Sequence, residues 1–153
     1  MLREDLQNTL KAALKEKDKC TLATVRLILA ALKDRDIAAR GNGQDEGVGD
    51  DEIQALLQTM VKQRRDAIEL FKRGGRDELA DREAEEIGVI EKFQPRQLDD
   101  GEIDRAVKAA IADTEASKLK DMGRVMTALR ECHAGEMNFG KASEVAKKLL
   151  SAA

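Results

Sequence analysis

Residues 60–91 read MVKQRRDAIELFKRGGRDELADREAEEIGVIE, and this stretch decides the fold class. On each side of Gly74-Gly75, apolar residues recur at intervals of three and four, the spacing that places them on one face of an α-helix. A pair of glycines between two such runs ends the first helix and permits a tight reversal of the chain. The stretch therefore predicts two antiparallel helices, the second of which begins at Asp77.

The two predicted helices carry opposite charges. Residues 60–76 hold six basic and two acidic side chains, whereas residues 77–91 hold seven acidic side chains and one basic. Arg64 and Glu83 each interrupt the apolar face of their helix, and they lie at similar distances from the glycine pair. Because an unpaired charge at such a position is costly, we predict a partly buried Arg64–Glu83 ion pair in which Glu86 shares the guanidinium. The basic run 62–65 is then a poor candidate for binding.

The same periodicity predicts two helices before this hairpin. A first helix begins at Leu2, and Asp18 can cap a second by accepting a hydrogen bond from its first turn. The expected inward positions of the first helix are Leu6, Leu10, Ala13 and Leu14. Residues 41–49 hold four glycines and no apolar period, so a mobile loop is predicted there. We expect Asp50 or Asp51 to cap the third helix.

The single proline, Pro95, marks the end of the hairpin and the start of a second part. Beyond it, Asp99-Asp100 can cap a fifth helix, and two more apolar stripes follow, the last of them with Asn138 as its cap. We therefore predict an all-α protein. Residues 1–95 form an N-terminal helical bundle of about four helices, and residues 96–153 form a small C-terminal three-helix domain.

The composition excludes several classes of protein. Only three of the 153 residues are aromatic, all of them phenylalanine, so a β-sandwich is not expected. Cys20 and Cys132 lack CxxC spacing, and the one histidine, His133, adjoins Cys132, where neighbouring helical side chains point about 100° apart. We predict no metal site, no cofactor and no catalytic residues. No apolar run is long enough to cross a membrane, and residues 1–5 carry acids where a signal peptide would be apolar, so we predict a cytoplasmic protein.

The last part of the chain is the candidate for nucleic-acid contact. Residues 117–153 hold seven basic and four acidic side chains, whereas residues 99–115 hold two basic and six acidic. The net charge of −3 and the lack of Trp and Tyr argue against strong nonspecific binding and base stacking. Contacts between residues 117–153 and a phosphate backbone are still compatible with these observations. The alternative interpretation is that these basic residues form an ordinary solvated helical face. The candidate residues for such contacts are Lys118, Lys120, Arg124, Lys141 and Lys148.

An ordered series of segments resembles the GatB/YqeY family along essentially the whole chain. The segments are Ala23–Leu32, Val61–Phe71, Gly74–Leu79, Glu83 with Glu86, Phe93–Leu98 and Lys120–Met126. The resemblance implies a stand-alone YqeY-like protein, with an N-terminal helical bundle and a small three-helix domain. It is related to the C-terminal tail of the B subunit of the glutamine-dependent aspartyl/glutamyl-tRNA amidotransferase. Residues 131–141 depart from the glycine- and lysine-rich linker of the family, so RNA contacts of that linker are not carried over.

In that amidotransferase the tail contacts tRNA, and the family is associated with carbon–nitrogen ligase activity that uses glutamine as the amido-N-donor. This chain has neither a glutaminase nucleophile constellation nor a nucleotide-binding loop, so we do not expect independent catalysis. The leading hypothesis is a noncatalytic, tRNA-associated helical module. The alternative is a protein–protein adaptor that binds its partner through an exposed groove between the two helical parts.

Overall fold

The computed structural model describes residues 1–152, which form seven α-helices, one 3-10 helix and no strand, so the all-α prediction is confirmed. The helices are α1 (Leu2–Glu16), α2 (Lys19–Gly41), α3 (Asp50–Arg73), α4 (Asp77–Glu91), α5 (Asp100–Asp113), α6 (Met122–Cys132) and α7 (Phe139–Ser151), and the 3-10 helix is Leu119–Asp121. The chain divides into two compact units, Met1–Pro95 with α1–α4 and the residues from Arg96 onward with α5–α7. Each unit has its own hydrophobic core.

The N-terminal unit is organised around the α3–α4 hairpin. These two helices form the most extensive helix pair of the unit, and α2 packs against both α1 and α4. The chain reverses at Gly75 with φ +69°, a conformation that glycine adopts without strain. The largest fully buried side chains of this unit are Leu6, Val25, Ile28, Ile53, Leu57 and Ile90.

The ends of the helices follow the predicted caps in part. Asp18 accepts a hydrogen bond from the Thr21 amide at 3.2 Å, so its predicted role as the N-cap of α2 is confirmed. The prediction that Asp50 or Asp51 caps α3 is wrong, because α3 begins at Asp50 and Gly49 takes the N-cap position without a side-chain hydrogen bond. The two acids lie in the first turn instead, where the positive end of the helix dipole favours negative charge.

Helix α1 buries a narrower face than the sequence predicts. Leu6 and Ala13 are buried and Leu10 packs against the core, but Leu14 is 51% exposed, so its predicted inward position is wrong. Successive residues on a helix point about 100° apart. Because Ala13 takes the buried position near the end of α1, the next residue points outward.

A buried carboxylate fixes the end of the segment between α2 and α3. Asp36 accepts hydrogen bonds from both terminal nitrogens of Arg3, at 2.7 and 2.5 Å, and from the Val48 amide at 3.0 Å. Arg3 also donates to the Val48 carbonyl at 2.7 Å. A Cβ at Gly47, where φ is +83°, would overlap the Asp36 carboxylate. The segment that was predicted to be a mobile loop is therefore held at Val48, which is buried.

The C-terminal unit is a three-helix bundle with well-capped helices. Asp99 and Glu102 form a reciprocal capping box at the start of α5, and Asn138 accepts hydrogen bonds from two amides at the start of α7, so both predicted caps are confirmed. The Leu98 amide donates to the Glu136 carbonyl at 2.8 Å, which ties the entry segment to the α6–α7 connection. The most deeply buried core side chains are Val107, Val125, Leu129, Met137, Ala142 and Ala146.

Candidate nucleic-acid interface

The basic residues of α3 are partly neutralised inside the N-terminal unit. Arg64 donates from Nε to Glu86 at 2.9 Å, and Glu83 lies 4.0 Å from the same nitrogen. The Arg64 side chain is only 12% exposed, and it also donates to the Met60 carbonyl at 3.2 Å. The structure thus brings together the three side chains proposed from the sequence, with Glu86 rather than Glu83 as the nearer partner. Sequence spacing alone could not rank the two, because both lie on the same face of α4.

The neighbouring arginine is also paired with α4. Arg65 lies 3.8 Å from Glu91, with both side chains about half exposed. Lys62, in contrast, has no carboxylate within 4.0 Å among residues 1–152. Two of the three basic side chains in the run 62–65 therefore already have acidic partners.

In the C-terminal unit, one carboxylate organises the turn that carries the candidate residues. Asp121 accepts hydrogen bonds from the amides of Ser117 and Lys118, at 3.0 and 3.1 Å, and from Arg124 at 2.8 Å. Together these donors hold the pKa of Asp121 well below its usual range, and the Ser117 amide makes the largest contribution. Arg124 donates its other terminal nitrogen to the Thr114 carbonyl at 3.2 Å. The candidate Arg124 therefore links the end of α5 to the start of α6.

The direction of the helices places most of the candidate lysines at one end of the bundle. Helices α6 and α7 pack together across the short connection 133–138, which makes them antiparallel. The end of α7 therefore lies beside the start of α6 and the 3-10 helix, which also packs against α7. This end of the unit, here called the basic end, presents four exposed lysines. They are Lys118, Lys120, Lys147 and Lys148.

Lys141 lies at the opposite end of the bundle. Its ammonium group is 3.2 Å from a carboxylate oxygen of Asp100, which places the first turn of α7 beside the first turn of α5. The structure therefore separates Lys141 from the other candidates. Along α7, Lys141 precedes Lys148 by seven residues, or about 10 Å, and sequence reasoning did not anticipate its pairing with Asp100.

The lysines of the basic end differ from the other candidates in their partners. Within the described part of the chain, no carboxylate lies within 4.0 Å of the ammonium group of Lys118, Lys120, Lys147 or Lys148. Lys147, which sequence reasoning counted in the charge of this region but did not select, is exposed, as is its neighbour Lys148. We include Lys147 in the basic end because of the direction in which α7 runs, and a count of charges gives no information about that direction.

The described residues offer no arrangement typical of a catalytic or metal site. Cys20 and Cys132 are free thiols, and no group of three or more His, Cys, Asp or Glu side chains among residues 1–152 could hold a metal ion. His133 lies 3.3 Å from Glu136 of the same connection, not against a nucleophile. Over the same residues, no helix has both the length and the apolar character needed to cross a membrane.

A groove of about 550 Å³ lies in the N-terminal unit, between α1, the start of α3 and the segment that follows α4. Gln54 lines this groove and donates to the Phe93 carbonyl at 2.9 Å, while its own amide oxygen is buried without a hydrogen-bond partner in the described chain. The hydrogen bond from Gln54 to Phe93 holds the segment that follows α4 against α3. It does not assemble a nucleophile with a base.

Taken together, these features define an all-helical protein with a four-helix unit and a three-helix unit, the latter with four exposed lysines, on or beside the 3-10 helix and in the second half of α7, that have no ion pair in the described chain. Comparison with known families identifies the family to which the chain belongs. The model of the family described as Yqey-like protein matches residues 3–150, so the chain belongs to the YqeY-like family, and the resemblance found in the sequence is confirmed.

Curated relatives support this assignment. The chain is 32% identical over 123 residues to the protein named "Altered inheritance of mitochondria protein 41, mitochondrial" from Lachancea thermotolerans, an alignment that covers 76% of this chain and 64% of the relative. Proteins of the same name are 28% identical over 130 residues in Pyrenophora tritici-repentis, with 82% and 69% covered, and 30% identical over 89 residues in Kluyveromyces lactis, with 58% and 46% covered. The aligned part spans about half to two thirds of these relatives.

Proposed function

We propose that this YqeY-like protein is a noncatalytic, tRNA-associated module that contacts the phosphate backbone of RNA through its basic end. The observation that carries the proposal is the set of four exposed lysines without carboxylate partners. Lysine is a compact point charge that binds phosphate without requiring a fixed geometry, so a cluster of four suits a backbone recognised by shape. The resemblance to the tRNA-contacting tail of an amidotransferase subunit supports tRNA as the RNA concerned.

Two of the candidate residues, Arg124 and Lys141, are left out of the proposed binding surface. Arg124 already donates to Asp121 and Thr114, so its role is to hold the turn that presents Lys118 and Lys120. Lys141 pairs with Asp100 at the other end of the bundle and is not part of the binding surface. We place the chain in the cytoplasm as part of the same proposal. The word "mitochondrial" belongs to the names of the relatives and describes those proteins.

Labelled tRNA can be titrated at low salt with three forms of the full chain. The first is wild type, and the second, the basic-end variant, replaces Lys118, Lys120, Lys147 and Lys148 with alanine. The third, the matched control, replaces four exposed lysines of the N-terminal unit and so removes the same charge. Its positions are Lys11, Lys15, Lys62 and Lys72.

The basic-end variant is expected to bind at least about tenfold more weakly, because each lost phosphate contact removes a favourable electrostatic term. The matched control is expected to stay within about threefold of wild type, as is Lys141→Ala. Absence of binding by wild type at low salt, or an equal loss in the basic-end variant and the matched control, would overturn the proposal. So would a pull-down that recovers a stoichiometric protein partner and no RNA.

The noncatalytic part of the proposal has a separate test. The family association with carbon–nitrogen ligases predicts, if it applied to this chain alone, that the purified protein releases ammonia from glutamine or amidates a charged tRNA. We expect neither reaction, because neither free thiol of the described chain is hydrogen-bonded to a base and the one histidine contacts Glu136 rather than a nucleophile. Glutamine-dependent ammonia release that survives removal of contaminating enzymes would contradict this part of the proposal.

A further inference from the structure

Helix α2 exposes an apolar stripe on the side that faces away from the core. The stripe consists of Ala23, Leu27, Ala30, Asp34, Ile37 and Ala38, all of them exposed. At 100° per residue these positions lie within about 100° of arc, so they form one continuous face. Leu27 is 49% exposed and Ile37 is 57% exposed. Isolated exposed leucines are ordinary, but Leu27 and Ile37 share one helix face with three alanines and a single acid, Asp34, and such a face indicates an interaction surface.

The opposite side of α2 is already used by the core of the N-terminal unit. Val25, Ile28 and Leu32 are buried there against the other helices. A helix that serves only as the outer wall of a bundle carries polar residues on its far face. The far face of α2 carries Arg26, Lys33 and Asp34, but it also exposes Leu27 and Ile37, so part of this face suits a second packing partner.

The charges on and beside the stripe indicate which partner fits. Asp34 is the one acid on the stripe, and Arg26 and Lys33 lie along one flank of it. Neither Arg26 nor Asp34 has an ion-pair partner within the described chain. A partner helix should therefore bring a basic residue to Asp34, an acidic residue to Arg26 and apolar side chains to Leu27 and Ile37. Helix α2 of a second copy supplies all of these.

We propose that the α2 stripes of two copies pack antiparallel across a two-fold axis. In this register Leu27 of each copy lies opposite Ile37 of the other, and Ala30 lies opposite Asp34. Arg26, one helical turn before Ala30, then reaches the Asp34 carboxylate of the second copy, and the symmetry repeats the pair. The small side chain of Ala30 permits the two helix backbones to approach closely near the axis.

The size of the contact sets the strength of the dimer. From residue 23 to residue 38 the helix extends about 22 Å, so one helix pair buries less than the roughly 1,200 Å² of the smallest stable interfaces. The dimer is therefore weak and depends on concentration. Sedimentation velocity of the full chain from about 1 µM to about 1 mM should show conversion of the 16.9 kDa monomer to a species of twice that mass.

Two single variants give a sharper test of the register. In a dimer of Arg26→Glu, the new glutamate of each copy faces Asp34 of the other copy. In a dimer of Asp34→Arg, the new arginine of each copy faces Arg26 of the other copy. Each variant alone should therefore dimerise at least about tenfold more weakly than wild type. A mixture of the two restores complementary charges at both symmetric pairs. The mixture should therefore form a heterodimer at concentrations where each variant alone is monomeric.

Leu27→Glu provides the apolar test, with Lys11→Glu on α1 as a control that changes charge at an exposed site outside the stripe. Leu27→Glu should remain folded by circular dichroism and stay monomeric throughout the concentration range, while the control dimerises like wild type. Wild type that stays monomeric at about 1 mM would overturn the proposal. A dimer that survives Leu27→Glu, or a charge-variant mixture that forms no heterodimer, would also overturn it.

Discussion

Two segments of this chain carry similar positive charge and use it differently. Residues 60–76 hold six basic and two acidic side chains, and residues 117–153 hold seven and four. In the first segment, Arg64 and Arg65 are paired with acids of α4. In the second, the four lysines of the basic end have no carboxylate within ion-pair distance in the described chain. Lys62 and Lys72 of the first segment are also without an ion pair in the described chain, so the two segments differ in the pairing of their arginines and in where their unpaired lysines lie.

The largest expected effect lies in the N-terminal unit, where charges hold the fold. Asp36→Ala removes the acceptor of Arg3 and of the Val48 amide and leaves both donors in a partly buried site. We expect the free energy of unfolding in urea to fall by about 2–3 kcal/mol. The control, Asp45→Ala in the exposed segment nearby, should change it by less than about 0.5 kcal/mol. Similar losses in both variants would contradict the structural role of Asp36.

The same carboxylate predicts how stability depends on pH. The hydrogen bonds from Arg3 lower the pKa of Asp36 to about 2, more than burial raises it, from an ordinary value of 3.8. A folded-state pKa below the unfolded value stabilises the fold above about pH 4, and this stabilisation is lost as the pH falls toward 2. The difference in unfolding free energy between wild type and Asp36→Asn should therefore shrink by about 2 kcal/mol over that window. If this difference in unfolding free energy stays constant between about pH 4 and pH 2, the lowered pKa of Asp36 is contradicted.

A smaller effect on the free energy of unfolding is expected at the ion pair between Arg64 of α3 and the acids of α4. Arg64→Met removes the cation between Glu83 and Glu86 and leaves two partly buried acids near each other. We expect a loss of about 1–2 kcal/mol in unfolding free energy. Arg65→Met is the matched comparison, because the Arg65–Glu91 pair is half exposed and should contribute less than about 0.5 kcal/mol. Equal effects at the two sites would show that burial does not distinguish them.

The smallest effect on stability is expected at the basic end. The basic-end variant should unfold within about 0.5 kcal/mol of wild type, because its four lysines make no ion pair in the described chain. Thermal unfolding followed by circular dichroism measures this directly. A marked destabilisation would mean that these lysines serve the fold, and the contrast with Arg64 would disappear.

Local sequence patterns predicted the helices well because their signals lie within a few residues. The caps at Asp18, Asp99 and Asn138 follow from such signals, as does the reversal at Gly74-Gly75. The burial of Asp36 could not be found in this way. Its partners, Arg3 and Val48, lie 33 and 12 residues away along the chain, and no periodicity connects them.

The candidate site was predictable in composition but not in arrangement. The charge count identified the basic region 117–153, yet it could not show that Lys141 pairs with Asp100 or that α7 packs against the 3-10 helix that carries Lys120. It also could not show that Arg124 is held by Asp121 and Thr114. Those facts depend on helix direction and on pairing across the bundle, which appear only once the helices are packed.

The salt dependence of tRNA binding tests the central claim most directly. Each phosphate contact contributes about 0.7–0.9 to the slope of log affinity against log salt concentration. The basic-end variant should therefore show a slope smaller than that of wild type by about 3, while the matched control, which loses the same charge, keeps the wild-type slope. An unchanged slope in the basic-end variant, or an equal reduction in both variants, would contradict the claim that the lysines of the basic end, rather than exposed lysines elsewhere on the chain, form the RNA-binding surface.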